Sequence, residues 1–194
     1  MRKAPTTPFN TKGRDPMANP TTAQPGAAIP PDDTNKKLTL ANPDDPGLRH
    51  VSVAGGTYTI LVSGDETGGR YCLIDMLVPS GGGPPPHRHD FEEMFTILDG
   101  EIELTFRGEA HRAISGSTVN IPANAPHSFR NKSDKPARLL CMCTPAGQEE
   151  FFMAVGDPVA SRTAPPPKLS PAEQAERVQR AKALSARYRT ELLV

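Results

Sequence analysis

The chain reads as an all-β barrel or sandwich, because strand-like segments crowd the stretch from His50 to Thr144 and turn residues punctuate them. HVSV, TYTIL, YCLIDMLV, EEMFTIL, EIELTF, AHRAI, TVNI, HSFR and ARLLCMC are rich in β-formers and are broken by Gly, Pro and Asn. Asp99-Gly100, between MFTIL and EIELTF, is a tight hairpin signal. In EIELTF, Ile102, Leu104 and Phe106 alternate with Glu101, Glu103 and Thr105, the period-two pattern of a strand with one wet face. An antiparallel sheet is expected.

The flanks differ from this centre. Residues 1–46 are rich in Pro, Thr, Asn and Asp and have no apolar periodicity, so burial cannot offset the entropy of ordering them. They are expected to form a flexible N-terminal arm, with an edge strand wrapping a partner subunit as the alternative. Met17 begins a plausible second start, MANPTTAQ, so the residues before it need not belong to the native protein. The β domain is set at residues 47–147 and a helical extension at residues 148–194. QEEFFMAV is expected to make a short helix that lays Phe151 and Phe152 on the barrel, with Gly156-Asp157-Pro158 stopping it. Beyond the Pro-rich TAPPPKL, Ser170-Pro171-Ala172-Glu173 joins an N-cap, a first-turn proline and a capping-box glutamate, predicting a C-terminal α-helix to about Leu193. Ala175, Val178, Leu184, Tyr188 and Leu192 lie near one stripe of it, so only one face can pack. A DNA-reading helix-turn-helix would need a second helix.

Lys+Arg and Asp+Glu number 22 each, so no field draws the chain to nucleic acid or to an anionic membrane. A small-molecule partner is expected instead. No stretch approaches transmembrane length, and no apolar run follows MRKAPTTPFN as a secretory signal requires, so a soluble, cytoplasmic protein is expected. Cys72, Cys141 and Cys143 cannot all pair. Cys141 and Cys143 read as reduced, buried small hydrophobes, since a lone C-x-C is a weak zinc signal.

The chemistry concentrates in two stretches. In Gly81-x5-His87-x-His89-x3-Glu93-x6-Gly100, two histidines one residue apart point to the same face of a strand and can share a metal. Glu93 keeps the parity of His89 if the strand resumes after Asp90-Phe91, which turns Glu92 outward. Imidazole with carboxylate suits Fe, Mn, Co, Ni, Cu or Zn, and one divalent transition metal per chain is expected. The second stretch, Gly116-x5-Pro122-x-Asn124-x2-His127-x3-Asn131, brings a third imidazole across a loop whose closure entropy is about 3 kcal/mol. His50 and His111 have no partner at ligand spacing and read as surface or hydrogen-bonded residues.

These two stretches resemble the paired motifs of the cupin superfamily, G-x5-H-x-H-x3,4-E-x6-G and G-x5-P-x-G-x2-H-x3-N. Every position matches except Asn124, which stands for a glycine and tolerates the left-handed conformation that the turn needs. The resemblance implies an antiparallel jelly-roll β-barrel, a metal site of His87, His89, Glu93 and His127, and a homodimer. By parity Phe95 and Ile97 share the face of Glu93, and Phe129 that of His127, giving a substrate pocket with apolar walls. The single barrel, TPAGQEEFF and the terminal TELL look like the small quercetin dioxygenase-like cupins. That likeness implies a dioxygenase acting on an enol, diketone or flavonol-like substrate, with Glu93 as catalytic base as well as ligand. The alternatives are a metal-dependent isomerase or lyase, which an acid-base tyrosine such as Tyr58 or Tyr71 would serve, and a non-enzymatic binding cupin.

Overall fold

The computed structural model describes residues 28–193. The part of the expected arm that precedes residue 28, Met17 included, lies outside the described residues. Residues 28–48 contain turns and no helix or strand.

The β domain opens with β1 (Arg49–Val53), β2 (Gly56–Val62), a single-turn helix α1 (Gly64–Thr67) and β3 (Cys72–Val78). The first motif supplies β4 (His87–His89) and β5 (Glu92–Asp99), followed by β6 (Glu101–Phe106) and β7 (Glu109–Ile114). The second supplies β8 (Thr118–Ile121) and β9 (His127–Arg130), and β10 (Ala137–Thr144) completes the domain. Helix α2 (Gln148–Val155), the two-residue β11 (Asp157–Pro158), helix α3 (Pro171–Ser185) and β12 (Thr190–Leu192) make the extension.

The strands form two antiparallel sheets, ordered β11-β1-β2-β3-β10-β5-β8 and β12-β4-β9-β6-β7. No strand pair joins them among the described residues, so the jelly roll is a sandwich of two facing sheets rather than a closed barrel. Alternation drives this packing. Ile74 and Met76, Phe95 and Ile97, Leu139 and Cys141 on the first sheet meet Ile102, Leu104 and Phe129 of the second in one buried core. Gly100 takes φ 74° in the β5–β6 turn, and a Cβ there would stand 2.8 Å from the Pro136 carbonyl, so both the turn and the close approach call for glycine.

Helix α2 spans QEEFFMAV as expected, with Phe151 and Phe152 buried and Gly156 at its end. Asp157 and Pro158 then pair with β1. Helix α3 starts at the expected capping box, where Ser170 Oγ accepts from the Glu173 amide at 3.3 Å. It does not run to Leu193. It ends at Ser185, a 3-10 turn follows over Ala186–Tyr188, Arg189 takes φ 58°, and Thr190–Leu192 extend as β12 against β4. The open edge of β4 offers backbone partners that a continued helix would leave unused.

Candidate metal centre

His87 and His89 alternate with exposed Arg88 along β4, so both imidazoles point into the sandwich. His127 opens β9, and the β4–β9 register sets it directly opposite His87. Glu93 arrives by a different route from the one parity suggested. The Asp90-Phe91 corner carries the chain from the second sheet to the first, and Glu93 faces the histidines across the sandwich. Inward on one sheet meets inward on the other.

The four residues are buried, and one donor atom from each lies within 4.8 Å of all the others. Each ring is aimed by a backbone carbonyl two residues away: Nδ1 of His87 bonds Pro85 O, that of His89 bonds Phe91 O and that of His127 bonds Ala125 O, all at 2.9 Å. A carbonyl oxygen only accepts, so each Nδ1 carries the proton and each Nε2 is left with a lone pair. Nε2 of His89 and of His127 both stand 3.1 Å from Glu93 Oε2. Lone pairs and a carboxylate oxygen converging this closely can share a cation, and a borderline divalent metal matches this donor set. Phe91 lies flat on the His89 ring, with centroids 3.9 Å apart, and fixes its plane.

Without an ion, a proton on the facing Nε2 atoms takes its place. Burial would raise the Glu93 pKa, but hydrogen bonds and charge from the His127 and His89 rings then hold it far below the usual carboxylate range. Burial, helped by the charge of His127, lowers His87 to about 4, so it is a neutral ligand at pH 7. In His127 the pull of Glu93 outweighs burial and the pKa rises. Glu92 faces outward as parity required, accepting from Asn120 Nδ2 and from the Ala123 amide, each at 3.1 Å.

A cavity of about 620 Å³ opens on the cluster, with His87 and Glu93 in its wall. Tyr58, Phe95, Phe129, Phe151 and Phe152 supply aromatic surface. Ile97 is buried but does not line the cavity. Four residues beyond Glu93 at about 3.3 Å each, it sits roughly 13 Å down the strand, deeper in the core. Tyr58 is in the wall while Tyr71 is not. Burial first, then the charges of Cys141 and Glu93, raise the Tyr58 pKa, so its phenol keeps its proton. Sequence reasoning missed the contribution of the extension. Gln148 of α2 and Gln174, Arg177, Val178 and Ala181 of α3 line the cavity, and the buried Gln148 Oε1 has no hydrogen-bond partner. The capping box located α3 but carried no signal for where it docks.

His50 and His111 are as expected outside the site. His50 is buried, with Nδ1 2.8 Å from Thr59 Oγ1 and Nε2 3.1 Å from Asp45 O, and His111 is exposed on β7. The three cysteines are free and buried. The expectation that Cys141 and Cys143 merely fill space is incomplete, because their sulfurs contact Glu93. No described helix is long and apolar enough to cross a membrane.

Two facing antiparallel sheets enclosing three imidazoles and one carboxylate define a jelly roll with a donor set that could hold a metal ion. The Cupin domain profile matches residues 74–143, from β3 to β10, all four donors included, so this stretch is a cupin domain. Among curated proteins the chain is similar to a quercetin 2,3-dioxygenase of Bacillus subtilis (strain 168), 33% identical over 109 residues, which are 56% of this chain and 32% of that protein. It is also similar to the HTH-type transcriptional regulator PuuR of Escherichia coli (strain K12), 26% identical over 115 residues, 59% of this chain and 61% of that protein. The chain thus spans about a third of one relative and about three fifths of the other. Among solved structures, the polyketide cyclase RemF from Streptomyces resistomycificus superposes with a TM-score of 0.51 at 18% identity, over 75% of this chain and 99% of that one. At that identity the likeness is one of fold.

Proposed function

We propose that the protein is a mononuclear metal-dependent enzyme that oxidises a small enol, diketone or flavonol-like substrate with dioxygen. The observation that carries this is the junction of the donor cluster with an aromatic-walled cavity: His87 and Glu93 belong to both. The cavity has the size of sites that enclose drug-sized ligands. The Bacillus relative, named a quercetin 2,3-dioxygenase, supports the oxygenase reading over the aligned part.

His87, His89, Glu93 and His127 would hold a divalent metal, which would supply Lewis acidity toward an enol oxygen and the means of reaction with dioxygen. The chain's own residues do the rest. The carbonyl bonds of the three histidines hold the Nε2 atoms in place, so little reorganisation is needed when the site is filled. Phe95, Phe129, Phe151 and Phe152 bind a planar apolar body and exclude water. Glu93, which lines the cavity, is the base assigned to the enol proton in this proposal. The test is to load the protein without oxygen with each of Fe, Mn, Co, Ni, Cu and Zn, add flavonols or diketones, and admit oxygen. Metal-dependent oxygen uptake is expected with at least one pair, and none with any of them sinks the proposal.

Tyr58 favours a second reading. A protonated phenol in the same wall as Glu93 is an acid facing a base, the pair that a metal-dependent isomerase or lyase uses to move a proton. Turnover that proceeds equally without oxygen and falls in Tyr58→Phe would select it. We further propose a homodimer. Leu38 and Leu40 are 92% and 93% exposed, although Thr39 between them is tied to Glu66 Oε1 at 2.7 Å, and a second chain would cover them. Light scattering that gives a monomer mass at micromolar concentration would count against it.

A further inference from the structure

Resting on the metal-binding reading above, we propose that the Cys141 and Cys143 thiols are positioning groups for Glu93, holding Oε1 so that Oε2 alone is presented to the imidazoles. Strand β10 lies beside β5, and the register sets Cys141 opposite Phe95 and Cys143 opposite Glu93. Being two apart, both cysteines point into the sandwich from the sheet that carries the carboxylate. Cys141 Sγ donates to Glu93 Oε1 at 3.5 Å, and Cys143 Sγ stands 3.9 Å from the same oxygen and 3.8 Å from Cys141 Sγ. The other oxygen, Oε2, is 3.1 Å from both His89 Nε2 and His127 Nε2. The carboxylate is therefore divided between two environments, soft thiol donors behind and imidazole lone pairs in front.

That division has a chemical consequence. A free carboxylate can ligate through one oxygen, through both, or swing between the two, and each choice occupies a different number of coordination positions. No other donor reaches Oε1 among the described residues, so the orientation of Glu93 depends on these sulfurs. Partners of this kind orient ligands and set affinity without touching the metal. Both sulfurs are fully buried, and a cysteine protonated at neutral pH can serve as the donor that Oε1 lacks elsewhere.

Simple packing is the competing account, and three variants of the full chain separate the two. Cys141→Ser keeps a donor, Cys141→Ala removes it, and Cys141→Val fills the space without one. Co(II) binding is measured by calorimetric titration and by the visible absorption of the Co(II) protein. Ser is expected to bind within about twofold of wild type, whereas Ala and Val lose about tenfold in affinity and show displaced absorption bands as Glu93 is released. If Ala does not fold, Val decides. Wild-type affinity and spectrum in both Ala and Val overturn the proposal, as does a loss in Ser equal to that in Ala. Failure of the wild type itself to bind Co(II) overturns the metal-binding reading first and this inference with it.

Discussion

At the scale of single residues, adjacent carboxylates meet opposite fates. Glu93 contacts the His89 and His127 imidazoles, while Glu92 pins β8 and the turn after it through Asn120 and the Ala123 amide. Glu93→Gln is therefore expected to lose most bound metal, because a neutral amide cannot balance the charge of a divalent ion. Glu92→Gln is expected to keep full metal content and lose at most about 1 kcal/mol of stability, the ordinary worth of a hydrogen bond. Elemental analysis of the two purified variants checks this, and equal metal loss would show that the carboxylate is misassigned. The histidines make a pH prediction for the metal-free protein. His87 has its folded pKa lowered to about 4 by burial, so between about pH 6.5 and pH 4 the unfolded chain binds a proton that the folded chain does not. Stability from this residue is then lost as pH falls through that window. Glu93, lowered further, loses its contribution at more acid pH, whereas the raised His127 contributes below its unfolded value and fades as pH rises past its folded one. Melting curves of chelator-treated protein should show a steeper acid slope in wild type than in His87→Gln, and parallel slopes would remove His87 as the cause.

At the scale of elements, Asn124 shows how far local rules reach. It takes φ 68°, the left-handed value expected of a residue standing where the family has glycine, and its amide bonds the His89 carbonyl at 2.6 Å. Asn124→Gly should be nearly neutral, and Asn124→Val should cost about 1–2 kcal/mol in denaturant unfolding with loosened metal binding, since a β-branched residue resists that conformation. Strands, turns and ligand spacing were legible in the sequence for the same reason: each is written in alternation, in glycine and proline, or in fixed intervals. The extension was only half legible. The capping box announced where α3 starts, but its end depends on a partner far away in sequence. Thr190–Leu192 become a strand because β4 has a free edge, and the Arg189 turn is then anchored by the ion pair of Arg189 Nε with Asp90 at 2.7 Å and by the Leu193 amide on Pro86 O at 2.8 Å. The register sets Thr190 opposite His89 and Leu192 opposite His87, so β12 braces the strand that carries two ligands. Deleting residues 189–194 should weaken metal binding several-fold while leaving the core sandwich folded. Titration of the truncated chain at wild-type affinity would show that the brace is idle.

At the scale of the whole molecule, the cluster joins what the strand ladders leave separate. His87, His89 and His127 belong to the sheet of β4 and β9, and Glu93 belongs to the sheet of β5, with no strand pair between the sheets among the described residues. An ion held by these four residues would thus tie the two sheets across the sandwich. The cavity as a whole was beyond sequence reasoning, because its walls come from β2, β5, β9, α2 and α3, and only packing brings these together. The tie yields the broadest prediction. A ligand present at a thousand times its dissociation constant stabilises the folded state by about 4 kcal/mol, provided it binds the unfolded chain negligibly. For a protein of this size each kcal/mol moves the melting temperature by about 2–4 °C, so stripping the metal should lower it by roughly 10 °C. Scanning calorimetry of metal-loaded and chelator-treated protein at fixed concentration makes the measurement. His127→Ala, which removes the donor opposite His87 on β9, should then melt at one temperature whether or not metal is added. A wild-type transition indifferent to chelator would mean that the sheets hold together by their core alone and that the four side chains tie nothing.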